Sequence, residues 1–289
     1  MVFDKLKKYG EMVMFSHTLF SLPFGLIAMI WAAGGIPELR IFFWILVALF
    51  GARNGANAFN RIADRNIDKK NERTKDRHLA TGEISLYEAY GVTIFCFLIM
   101  AFAAYMLNLT CLILLPFAIG IFIVYSYSKR FTWLCHFILG TACGGAPVGA
   151  WLAVTGEISL IPLFLGAAVC FWVGGFDILY ATQDIAFDRK EGLHSIPARF
   201  GLKASLWIAR ASHCMSILCF IAIYMYVPRG IFFLIGIITA ILLLGIEHYN
   251  VAPENKNKMI FASYHMNQLV SIVFFIFAMI DIGMEQGIF

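Results

Sequence analysis

The sequence predicts an all-α, polytopic membrane protein, and three observations carry that prediction. Hydrophobic residues fill 61% of the 289 positions and charged residues only 14%, whereas water-soluble domains hold nearer half and a quarter. Apolar runs of about 20 residues, the length a helix needs to cross a bilayer, recur along the whole chain. These runs are continuous and do not alternate with period two, which argues against a membrane β-barrel and leaves the helix as the spanning element.

Nine spans are expected, at 11–33, 41–60, 86–107, 109–128, 132–154, 158–181, 203–227, 230–247 and 264–284. The chain opens Met-Val-Phe-Asp-Lys and has no small-residue cleavage site before the first span, so that span reads as retained and not as a cleaved leader. It contains His17, read first as a buried histidine satisfied by hydrogen bonds and second as a polar cavity residue. The second span carries Arg53, and an intramembrane guanidinium needs a polar cavity or a counter-ion. Arg53 is therefore a candidate for holding an anionic acceptor such as an aromatic carboxylate, with a structural ion pair as the alternative.

A short Leu107-Asn108-Leu109 connection joins the third and fourth spans, and the fourth ends in Tyr125-Ser126-Tyr127-Ser128-Lys129. The fifth holds Gly140, Gly144, Gly145, Ala146, Pro147 and Gly149, a small-residue surface suited to close helix packing. The sixth contains Asp177, a carboxylate in an apolar span, which is costly and functional by default. In the seventh, Arg210 has no motif around it and reads as a near-interface charge. The seven cysteines fall within spans, lack metal-like spacing and read as small packing residues.

Lysine and arginine fix the expected orientation. With nine spans, one side collects Lys5, Lys7, Lys8, Arg61 to Arg77, Lys129, Arg130, Arg189 to Lys203, Lys256 and Lys258, while the other holds Arg40 and Arg229. This predicts a cytoplasmic N-terminus and an outside C-terminus in a bacterial- or archaeal-type inner or plasma membrane. The net charge of +4 is then topological, and no nucleic acid is implied.

The two long inside loops resemble each other: Asp68-Lys69-Lys70 is followed by Gly82 and Ser85, and Asp188-Arg189-Lys190 by Gly192 and Ser195. A single domain over 1–289 is expected, with pseudo-repeat halves at about 11–128 and 132–247 and an extra helix at 264–284. The site is expected where the two loops face each other.

Those loops begin with the chemistry-bearing motifs. Asn60-x-x-x-Asp64-x-x-x-Asp68 places oxygen ligands on one helix face, one turn apart, and Asp184-x-x-x-Asp188 repeats the spacing with Asp177 about two turns earlier. Magnesium takes one or two carboxylates plus substrate phosphates and water, so two such motifs suit metals astride a diphosphate. The competing interpretation is solvated charge at helix ends. Arg73 and Arg77, at i and i+4, are candidates for the diphosphate because guanidinium pairs with phosphate; otherwise they belong to a basic cytoplasmic loop. Lys129 can neutralise phosphate, with Tyr125 one turn earlier orienting it, or the two are a snorkelling lysine and an interfacial tyrosine.

Taken together, Asn60-x-x-x-Asp64-x-x-x-Asp68, Tyr125-x-x-x-Lys129 and Asp177-x6-Asp184-x-x-x-Asp188 resemble the signature set of the UbiA superfamily of intramembrane prenyltransferases, over essentially the whole chain. The resemblance implies magnesium-dependent transfer of a polyprenyl chain from its diphosphate to an aromatic or other lipophilic acceptor. By position, Asn60, Asp64, Asp68, Asp184 and Asp188 serve metal and diphosphate. Tyr125, Lys129, Arg73 and Arg77 lie near the diphosphate, and Asp177 and Arg53 at the acceptor end.

Many members carry Asp directly after the first Asn, where this chain has Arg61. The segments Ser16 to Pro23 and Gly192 to Gly201 are more similar to the branch that prenylates 4-hydroxybenzoate for ubiquinone, or acts in the futalosine route to menaquinone. A polyprenyl diphosphate, an aromatic acid (4-hydroxybenzoate or a naphthoate) and membrane lipids are the implied partners. A transporter with an intramembrane cation site and a scaffold that keeps the fold without the chemistry are the rivals.

Overall fold

The computed structural model describes residues 8–13, 22–227, 230–252, 254–255, 258–259, 261–285 and 287. His17, Lys5, Lys7, Arg229 and Lys256 lie outside them. The main helices are α1 (Leu22–Ala33), α2 (Leu39–Asp68), α3 (His78–Thr81), α4 (Leu86–Leu107), α5 (Leu109–Ser128), α6 (Cys135–Thr155) and α7 (Leu160–Ala181). A 3-10 turn (Thr182–Asp184) leads into α8 (Ile185–Lys190), followed by α9 (Ile196–Tyr226), α10 (Ile231–Asn250), a π turn (Phe261–His265) and α11 (Met266–Glu285).

Among the described residues, eight helical segments are long and apolar enough to cross a membrane, and they correspond to the second through ninth expected spans. The expected count of nine is not reached there, because within the first expected span only 11–13 and the 12-residue α1 are described. With eight such helices the chain is an integral membrane protein.

Contacts divide the chain into two compact units: one contains described residues 8–13 and 39–127, the other 22–38 and those from 128 on.

In the first unit, α2 runs 30 residues, about 45 Å at 1.5 Å per residue, against a hydrocarbon core of about 30 Å. The apolar pattern predicts its end at residue 60, yet the helix continues to Asp68, and this extra length puts Asp64 and Asp68 on a rigid support. It packs along α4 at Gly51, where a Cβ would fall 2.6 Å from the Cys96 carbonyl oxygen. Beyond α2, Gly82 closes α3 at φ 85°, and Ser85 starts α4 with a reciprocal capping box to Glu88.

In the second unit, α6 and α7 meet along the small-residue face. A Cβ on Gly140 would overlap the Cys170 carbonyl, and one on Gly144 the Gly166 carbonyl, so these positions admit only glycine without separating the helices. Phe24 of α1 joins an aromatic core with Trp172, Phe220 and Phe274, where the Phe220 and Phe274 rings lie 4.3 Å apart.

Polar groups inside this apolar unit are tied to one another. Trp172 Nε1 donates to Asn267 Oδ1 at 2.6 Å, Asn267 Nδ2 donates to Glu247 Oε1 at 2.7 Å, and His213 Nδ1 is hydrogen-bonded to His248 Nε2 at 3.0 Å. Asp281 of α11 accepts from the backbone N–H groups of Gly230 and Phe233, satisfying donors that the start of α10 leaves unpaired. Helix α9 bends at Gly201 (φ 77°, ψ 176°), a backbone conformation nearly restricted to glycine.

Candidate active site

The first acidic motif stands on the projecting end of α2. Asn60, Asp64 and Asp68 follow at four-residue intervals in one unbroken helix, so their side chains rise along one face. Asn60 Nδ2 donates to Asp64 Oδ2 at 3.0 Å, which orients that carboxylate. Past Asp68 the chain folds back through successive turns: Asn71 N bonds the Asp68 carbonyl, and Thr74 N and Lys75 N bond Asn71 O. This return brings Arg77 Nη1 to Asp68 Oδ1 at 2.7 Å. Arg77, expected at the diphosphate, thus holds a metal-candidate carboxylate in this structure. Arg73 is half-buried, its backbone N–H donating to Asn71 Oδ1.

Arg61, which stands where many UbiA members carry Asp, is buried, and its Nε donates to the Met12 carbonyl at 3.4 Å. It fastens the 8–13 segment to α2. Arg53 is half-buried two turns before Asn60 on the same helix, and Tyr125 is half-buried near the end of α5.

The second acidic motif is built differently. The expectation of one helical face is corrected here: α7 stops at Ala181, the 3-10 turn follows, and Asp184 becomes the N-cap residue of the six-residue α8 that carries Asp188. Thr182 and Gln183 bond back to the carbonyls of Leu179 and Tyr180, and such local side-chain bonds compete with the helical ladder.

Asp188 is buried, its Oδ2 accepting from Ser195 Oγ at 2.8 Å with Lys129 Nζ 3.9 Å away. The Ser195 hydroxyl also caps α9 by accepting from Ala198 N. Burial disfavours the Lys129 ammonium, but the charge of Asp188, with smaller contributions from Asp177 and Asp184 among others, outweighs it and raises the pKa. Lys129 therefore stays charged at neutral pH.

Asp177 faces a residue that sequence reasoning missed. His136, fully buried at the start of α6, places Nδ1 2.6 Å from Asp177 Oδ2. The two residues are 41 positions apart, and an isolated histidine in an apolar run carries no local signal. The available clue was Asp177 itself, since an intramembrane carboxylate calls for a partner. Arg210 lies over the Trp207 ring at 4.8 Å, a cation–π contact.

Hard oxygen donors are what magnesium prefers, and both motifs supply them. Among the described residues no three His, Cys, Asp or Glu side chains converge on one point. A magnesium ion takes one or two carboxylates and completes its shell with phosphate and water, and the carboxylate and amide oxygens of the two motifs are donors of that kind.

Residues 21–276 match the UbiA prenyltransferase family. The chain belongs to the UbiA prenyltransferase family. It is an integral-membrane prenyltransferase, which decides against the carrier alternative.

A UbiA relative from Shewanella pealeana, named 4-hydroxybenzoate octaprenyltransferase, is 30% identical over 285 residues, covering 96% of this chain and 97% of that protein. The apo structure of a UbiA homologue from Aeropyrum pernix K1 superposes with a TM-score of 0.83 at 31% identity, covering 92% of this chain and 98% of the other. A UbiA homologue from Archaeoglobus fulgidus, solved bound to DMAPP and Mg2+, shares the fold with a TM-score of 0.71 at 21% identity, over 94% and 99% of the two chains.

Proposed function

We propose that this chain transfers a polyprenyl group from polyprenyl diphosphate to a ring carbon of an aromatic acid, 4-hydroxybenzoate or a naphthoate, with release of diphosphate. The observation that carries the proposal is the pairing of two fixed acidic motifs with the cations Arg77 and Lys129. Further support comes from the name of the Shewanella relative and from the prenyl diphosphate and magnesium bound to the Archaeoglobus homologue.

Asn60, Asp64, Asp68, Asp184 and Asp188 would hold magnesium, which would supply positive charge to the departing diphosphate. The Asn60 bond orients Asp64, Arg77 steadies Asp68, and Ser195 steadies Asp188. Lys129 remains an ammonium suited to phosphate oxygens, and Tyr125, Arg73 and Arg77 are assigned to the diphosphate as well. Arg53 binds the acceptor carboxylate. Asp177 orients the acceptor hydroxyl or takes the ring proton. Apolar walls exclude water, so the allylic cation meets the aromatic ring before a water molecule can capture it.

The acidic motifs work at the cytoplasmic rim, with the N-terminus inside and the C-terminus outside. Single cysteines introduced at Arg73 and His194 are expected to react only with reagent that reaches the cytoplasmic side; labelling of either from outside overturns the orientation. The pseudo-repeat of 11–128 and 132–247 is part of the same proposal. Its support is that Gly82 and Gly192 both take positive φ (85° and 68°) ahead of the N-cap serines Ser85 and Ser195.

The deciding experiment incubates purified protein with a polyprenyl diphosphate, magnesium and a panel of aromatic acids, and identifies the product. Magnesium-dependent formation of prenylated 4-hydroxybenzoate or naphthoate supports the proposal. Transfer only to another lipophilic acceptor, or no release of diphosphate, refutes it.

A further inference from the structure

We propose that His136 is a positioning residue that holds Asp177 in its working orientation toward the acceptor. The proposal rests on the prenyl-transfer function above, in which Asp177 acts at the acceptor end.

The geometry around the ring selects one tautomer. His136 Nε2 lies 3.4 Å from the backbone nitrogen of Ile196, whose N–H points at it. A ring nitrogen that accepts a hydrogen bond carries no proton of its own. In the neutral ring the proton then sits on Nδ1 and is donated to Asp177 Oδ2 at 2.6 Å. The ring is fully enclosed, whereas the Asp177 side chain keeps 24% of its surface open. One carboxylate oxygen is thus anchored, and the other remains for a substrate group.

The anchor is stiff because its supports are backbone. Helices α6 and α7 are drawn together at Gly140 and Gly144, and Gly174, three residues before Asp177, sits against the Phe137 ring and the His136 carbonyl. Ile196 follows Ser195, whose hydroxyl holds Asp188, and His194 N bonds the carbonyl of Lys129. His136 therefore ties the acceptor-end carboxylate to the segment that fixes Asp188. A misplaced histidine lets Asp177 rotate without removing any ligand from the diphosphate side, and an error of about 1 Å in such a support can cost about a hundredfold in rate.

The test compares His136→Ala, His136→Gln, Asp177→Asn and the double variant His136→Ala/Asp177→Asn in the full chain, with KM measured separately for each substrate. His136→Ala is expected to lower kcat/KM for the acceptor ten- to a hundredfold and leave KM for the prenyl diphosphate within twofold. His136→Gln, which can still donate to Asp177 and accept from Ile196, is expected to recover most of the loss. The double variant is expected to be no slower than Asp177→Asn alone. Equal losses for both substrates, no rescue by glutamine, or additive effects in the double variant overturn the positioning role.

A wild type inactive toward aromatic acids but active on another acceptor overturns the acceptor assignment alone, and the same comparison on that acceptor then decides His136. A wild type that transfers to nothing overturns both.

Discussion

The two acidic motifs share a spacing and differ in how they are held. Asn60, Asp64 and Asp68 stand on one continuous helix and are fixed by neighbours close in sequence, Asn60 itself and Arg77 nine residues past Asp68. Asp184 and Asp188 straddle a change of helix, and Asp188 is fixed partly from a distance: Ser195 is seven residues on, but Lys129 comes from the turn that precedes α6. The first motif is stiff because of its helix, and the second because of its surroundings. Identical i, i+4 spacing therefore records a shared chemical demand more faithfully than a shared local structure.

The largest expected effect tests whether the demand is shared. Asp64→Ala and Asp184→Ala each remove a metal-side carboxylate, and a bound metal contributes several kcal/mol to charge stabilisation. Each is expected to lower kcat by about three orders of magnitude while membrane insertion and thermal unfolding stay near wild type. Near-normal turnover in either well-folded variant breaks the equivalence of the two motifs.

Arg53 extends the comparison beyond the motifs, since it lies on α2 with the first one yet is assigned to the other substrate. A charge-assisted bond is worth about 1.5–3 kcal/mol, so Arg53→Ala is expected to raise the acceptor KM about ten- to a hundredfold. Arg53→Lys should regain part of this, because an ammonium lacks the planar fork that matches a carboxylate. A loss confined to the prenyl diphosphate KM moves Arg53 to the phosphate site, and a loss of stability alone makes it a structural ion pair.

The smallest effect sharpens the contrast in support. Ser85 and Ser195 both cap helices, but only Ser195 also donates to a motif carboxylate. Replacing either by alanine is expected to cost about 1 kcal/mol of stability, seen as a similar fall in unfolding temperature. Ser195→Ala should in addition slow turnover several-fold, and Ser85→Ala should not. Equal activities would show that Asp188 needs no hydroxyl to hold it.

What the sequence made legible follows the same division. Long apolar runs announced their spans, and the first motif could be drawn correctly because four-residue spacing on a continuous helix is a local rule. The 3-10 turn escaped because Thr182 and Gln183 redirect the backbone through side-chain bonds that a periodic pattern does not encode. Arg77 reads in the sequence as a candidate phosphate cation, but its contact with Asp68 depends on how the loop turns back. His136 and the buried Glu247 were invisible for the same reason as each other: their partners, Asp177 and Asn267, come from other helices. Near the end of a span Glu247 looks like an interface charge, and only packing reveals that it is fully enclosed.

The bond chain from Trp172 through Asn267 to Glu247 has a consequence for biogenesis. The indole on α7 and the carboxylate on α10 precede α11 in the chain, and Asn267 near the start of α11 bonds both. A nascent chain that has not reached residue 267 thus holds buried polar groups lacking that partner, and each such group costs about 1–3 kcal/mol. Packing of the second unit cannot be completed helix by helix in the order of synthesis. It closes when α11 arrives, so a partly made chain presents unfinished α7 and α10 surfaces to whatever insertion machinery holds it.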